Sequence, residues 1–93
     1  MDIRDASMSA RMSAVFKDHC NLDTYQYREV LARLEGIQIS LRAGEIEDCK
    51  LKINAIFIIF DFLLATGCLT IAEDHDLSSI IYDFEDTIAE MEV

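Results

Sequence analysis

The sequence predicts an all-α fold, a small bundle of about four helices forming one domain over residues 1–93. Three observations predict it. Apolar residues recur three and four positions apart in four separate segments, the spacing of one helix face. The chain holds no proline and only Gly36, Gly44 and Gly67 as breakers, which suits long helices with few tight turns. No stretch alternates apolar and polar at the period of a strand. A chain of 93 residues with 52% hydrophobic content is neither disordered nor multidomain. At this size a core buries about 60–65% of the surface that the unfolded chain exposes.

In the first segment Met8, Met12, Val15, Phe16 and His19 share one face, and "HCNLD" breaks it, with Asn21 suited to a left-handed C-terminal position. The second opens on Asp23 with Gln26 three residues on, the spacing at which the cap and the third helical residue satisfy each other's amides. Tyr27, Val30, Leu34, Ile37 and Leu41 form its stripe, with Leu31 widening it. Gly36 lies inside this helix at a cost of about 1 kcal/mol relative to alanine; it either permits a close crossing or is simply tolerated. Gly44 ends the helix.

The third helix is expected from about Glu45 to Thr66, with Gly67 as its stop. Ile46, Cys49, Ile53, Ile56, Phe60 and Leu63 make one stripe, and Phe57, Ile59, Phe62 and Leu64 carry apolar surface around the cylinder. Only Glu47, Lys50, Asn54 and Asp61 keep a polar strip, interrupted by Ile58. The fourth helix begins near Thr70, with Glu73 at capping-box spacing, or alternatively at Asp76. Acids at 73, 74 and 76 suit the positive end of its dipole. Leu77, Ile80, Ile81, Phe84, Ile88 and Met91 face inward.

The run "INAIFIIFDFLLATG" (53–67) raises the question of a membrane span. A span needs about 20 predominantly apolar residues. Here Asp61 interrupts the run, and its flanks lack the basic residues that orient a span. As a helix in water it must hide nine large side chains between Ile53 and Leu64, a gross gain on the order of 13–27 kcal/mol. Such a helix is expected at the centre of a bundle, with Asp61 on the solvent strip beside Asn54. Three shorter helices either cover it fully or leave part of it open as an apolar groove for a partner segment or a second copy.

The net charge of −10 is unevenly placed. Residues 1–52 hold all eight Lys and Arg against nine acids, whereas residues 53–93 hold nine acids and no Lys or Arg. A surface of one sign repels nucleic-acid phosphates and anionic membranes, so a charged partner should be basic. Acidity also keeps a greasy small protein in solution. Cys20, Cys49 and Cys68 are odd in number and lack CxxC spacing, which points to a reducing cytosol. The opening "MDIRDASMSARMSAVF" has acids where a signal peptide carries bases and no long apolar core.

No motif announces catalysis. His19 and Cys20 are adjacent, so on a helix they point about 100° apart and do not form a nucleophile–base pair. In "EDHD" only Glu73 and Asp76 have helical ligand spacing, and capping accounts for them. Asp83 and Asp86 lie on a solvated face with no pocket in view. There is no phosphate loop, triad or redox motif, so neither an enzyme nor a cofactor is expected.

From Leu41 onward the chain resembles the flagellin export chaperone (FliS) family, small acidic cytosolic helical bundles. "LRAGEIEDCKLKINAIFIIFDFLLATG" is similar to that family's helix, Gly-acid turn and following helix, with Ala55, Ile56, Ile58 and Ile59 in an Ala-Ile-x-Ile-Ile run. "LSSIIYDFE" is similar to its Leu-x-x-Leu-Tyr-Asp-Tyr segment, with Leu77, Ile81, Tyr82 and Asp83 in matching places. The helix before Gly44 is shorter than in that family. The resemblance implies a type III secretion chaperone that shelters an aggregation-prone export substrate.

The expectation from the stripes is therefore a cytosolic, non-enzymatic chaperone or adaptor. It would hold a partner's amphipathic segment against Ile56, Ile59, Phe60, Leu63, Ile81 and Phe84. Glu73, Asp74, Asp76, Asp83, Glu85 and Asp86 would form an electrostatic rim that speeds association and rejects wrong partners. The competing expectation is an acidic inhibitor (an immunity protein, antitoxin or phage anti-defence protein) that covers a basic nucleic-acid-binding surface. A helical dimerisation module is the third.

Overall fold

The computed structural model describes residues 7–16 and 22–92. It places four helices in chain order: α1 (Met8–Phe16), α2 (Thr24–Arg42), α3 (Ile46–Ala65) and α4 (Ile71–Met91). No strand occurs among the described residues. His19, Cys20 and Asn21, where a helix break is expected, lie outside the described residues.

The starts and stops are chemical. Asp23 accepts from the Gln26 amide at 2.7 Å while the Gln26 side chain accepts from the Asp23 amide at 3.2 Å. Thr70 and Glu73 repeat the exchange at 3.1 and 2.9 Å, so α4 starts on Thr70 and Asp76 lies within the helix. Gly44 and Gly67 follow α2 and α3 at φ of 75° and 78°, a left-handed conformation that favours glycine. Glu45 precedes α3 without a side-chain capping bond.

Helices α2, α3 and α4 pack in a triangle, each against the other two, and α1 lies across α2 and α4 without approaching α3. Each helix faces the centre with its apolar stripe. Met8, Met12 and Phe16 of α1 meet Val30, Leu34, Ile37 and Leu41 of α2 in one core. Cys49, Ile53, Ile56, Phe60 and Leu63 of α3 and Leu77, Ile80, Ile81, Phe84 and Ile88 of α4 complete it. The arrangement has a consequence for α3, the most apolar helix. With α1 on the far side of the α2–α4 pair, α3 has neighbours on its inner side only, and the expected central spine is a flank.

A polar clasp fixes α2 to α3. The buried Ser40 hydroxyl donates to the Asp48 carboxylate at 2.6 Å. Lys52 donates to Ser40 at 2.8 Å, to the Gly36 carbonyl at 3.5 Å, and pairs with Asp48 at 2.9 Å. Gly36 serves no close crossing: a Cβ there would meet only the flexible Lys52 Nζ, at 4.0 Å. No described helix is long and apolar enough to cross a membrane.

Candidate partner-binding surface

The open flank of α3 exposes Leu51, Ile58 and Phe62, at 70%, 70% and 63% of their full accessible surface. Steps of seven and four residues keep all three within about 20° of one line along the helix. The smaller Ala55 and Ala65 lie on the same side. The result is an apolar ridge rather than a groove. It arises because the apolar residues of α3 outnumber the positions its two neighbours cover.

Two shallow depressions flank the ridge. On the α2 side, Ala32, Arg33, Gly36, Lys52 and Ala55 enclose about 240 Å³; the smallness of Ala32, Gly36 and Ala55 leaves the space. On the α4 side, Lys50, Ile53, Asn54, Glu85, Ile88, Ala89 and Glu92 enclose about 280 Å³.

The α3–α4 seam is antiparallel and its rungs are legible. Lys50 pairs with Glu92 at one end. In the middle the Phe57 ring packs 6.3 Å from that of Tyr82, with Phe60 edge-on to Phe57. At the other end Asp61 comes near Asp74. Partial burial, and after it the negative charge of Asp61, push the Asp74 carboxyl above its ordinary range, while His75 pulls the other way.

The residues expected to grip a partner are elsewhere. Ile56, Phe60, Leu63, Ile81 and Phe84 are all buried in the core, and only Ile59 is half-buried at the edge. The stripe with the strongest periodicity faces the neighbouring helices of the same chain, so it stabilises the fold and offers no open surface. The exposed line Leu51, Ile58 and Phe62 was visible in the sequence only as apolar residues left over once the inward stripe had been assigned.

The six acids expected to form a rim also divide. Glu73 is held by the α4 cap. Asp74 and Glu85 edge the α3–α4 seam. Asp83 pairs with Arg11 of α1 at 2.6 Å. Asp76 and Asp86 are exposed. Together with Asp83 and the exposed Glu90, they fall at helical spacing along the outer side of α4, an acidic stripe separate from the apolar ridge. Among the described residues no three His, Cys, Asp or Glu side chains are grouped to hold a metal ion.

The chain has no match among protein-family models, curated proteins or solved structures.

Proposed function

We propose that this protein is a non-enzymatic binding protein that holds an amphipathic segment of another protein against the outer flank of α3. One observation carries the reading: Leu51, Ile58 and Phe62 stand in line and mostly exposed on a helix whose inner side is already packed. Leaving three large apolar side chains in water forgoes roughly 1.5–3 kcal/mol each relative to full burial. A partner helix recovers part of that gain, which is the usual logic of helix recognition. The surrounding acidity suits a basic partner and speeds encounter. A cytosolic export chaperone or adaptor, as the resemblance of residues from Leu41 onward implies, is the form of this function we favour.

The test is a titration of the full chain with a fluorescent, lysine-bearing amphipathic peptide of helical spacing. Saturable binding that is lost in L51Q/I58Q/F62Q, with the circular dichroism spectrum unchanged, supports the reading. Absence of binding in both proteins overturns it.

The acidic stripe Asp76, Asp83, Asp86 and Glu90 favours a second reading, an inhibitor that covers a basic surface of its target. Salt separates the two. Charge-driven binding weakens steeply as the screening length falls from about 30 Å at 0.01 M to about 8 Å at 0.15 M, whereas the apolar contact on the α3 ridge, and with it binding of a peptide that carries no lysine, changes little.

A further inference from the structure

The α3–α4 seam is unequal at its two ends. At one, Lys50 pairs with Glu92 and Glu47 and offsets part of their charge. At the other, the antiparallel register set by Lys50–Glu92 and Phe57–Tyr82 brings Asp61 alongside the first turns of α4, within electrostatic reach of Asp74 and its neighbour His75. Among the described residues neither carboxylate makes an ion pair. The two lysines of α3 are already engaged. Lys50 is engaged by Glu92 and Glu47, Lys52 by Asp48 and Ser40, and no Lys or Arg follows residue 52. That end adjoins Phe62, so the apolar ridge runs from an end where a lysine offsets its acids to one where the carboxylates have no ion-pair partner.

We propose that the α3 flank takes an amphipathic helix of another protein in a single register, with its apolar face on Leu51, Ile58 and Phe62 and a Lys or Arg seated between Asp61 and Asp74. This rests on the partner-binding reading above and names the chemistry that sets its register. The ridge from Leu51 to Phe62 is about 16 Å long at 1.5 Å per residue, which three turns of helix match. A second copy of this chain fits poorly. It would bring together two molecules of net charge −10. The ridge offers on the order of a few hundred Å², well short of the roughly 800 Å² per partner of a standard stable interface. Nucleic acid is repelled by the same acids.

The experiment uses the full chain and two peptides of about 14 residues with identical leucine stripes, one ending in two lysines and the other in two glutamines at the same places. D61N/D74N and D86N/E90Q remove the same net charge, the first at the proposed seat and the second on the far side of α4. The lysine peptide should bind the native chain about tenfold tighter than the glutamine peptide. That preference should vanish in D61N/D74N and persist in D86N/E90Q, with both variants folded by circular dichroism. Equal loss of preference in the two variants would mean that overall charge sets it; the seat is then overturned while ridge binding survives. If neither peptide binds, both proposals fall. A dimer by sedimentation that L51Q/I58Q/F62Q dissolves would make a second copy the occupant, and would overturn the proposal.

Discussion

Lys52 of α3 donates a 2.8 Å hydrogen bond to the buried hydroxyl of Ser40 on α2, and Asp48 closes the triangle from the turn below. The hydrogen bond from Ser40, followed by that from Lys52, holds the Asp48 carboxyl below its ordinary range. A carboxylate whose folded pKa is depressed adds stability above its unfolded pKa of about 3.9, and that stability is lost as pH falls through the lower folded value. Acid unfolding should therefore steepen below about pH 4, and Asp48→Asn should flatten that limb. Ser40→Ala removes two bonds from a buried hydroxyl and should cost about 1–2 kcal/mol. Thermal melts at neutral pH and near pH 3 check both.

Asp74 predicts the opposite sign. Its carboxyl is pushed up by partial burial and by Asp61, so the folded state prefers it protonated. The penalty is present at neutral pH and disappears as pH falls through the raised folded pKa. Asp74→Asn should raise stability at pH 7 by about 0.2–0.5 kcal/mol, the scale of like-charged surface pairs, and should have no such benefit below about pH 3.5. Urea midpoints at the two pH values decide it.

Gly36 sits in the middle of α2, and a Cβ there would meet only the flexible Lys52 Nζ, at 4.0 Å. Gly36→Ala should stabilise the protein by about 0.5–1 kcal/mol through helix propensity and a less free unfolded chain. A fall in the melting temperature instead would mean that the Lys52 ammonium, bonded to the Gly36 carbonyl at 3.5 Å, cannot shift to admit the methyl.

The fold was largely legible because its signals are local. The Asp23–Gln26 and Thr70–Glu73 exchanges span three residues each, and Gly44 and Gly67 act on the turn they occupy. Apolar periodicity likewise picked Ile56, Phe60, Ile81 and Phe84 as one set, and they do pack together. What periodicity does not contain is which helices cover which. That α1 lies on α2 and α4 rather than on α3 depends on packing between segments far apart in sequence. Periodicity therefore leaves open whether the strongest stripe is covered or lines a groove; packing covers it, and the weaker line Leu51, Ile58 and Phe62 is the one left in water. The meeting of Asp61 with Asp74, 13 residues apart and on different helices, was hidden for the same reason.

The division between core and ridge makes a sharp stability contrast among side chains of one helix. Phe60 is 1% exposed and Ile56 fully buried, whereas Ile58 and Phe62 are 70% and 63% exposed. Phe60→Ala should cost about 3–5 kcal/mol and Ile56→Ala about 2–5, a large share of the roughly 5–15 kcal/mol that holds a domain folded. Ile58→Gln and Phe62→Gln should change stability by no more than about 0.5 kcal/mol, yet weaken capture of the amphipathic peptide. Chemical denaturation of the four single variants, with peptide titrations of the folded ones, measures both halves. If Phe62→Gln unfolds the chain as readily as Phe60→Ala, then Phe62 is packed within the protein in solution and the ridge is not a free surface.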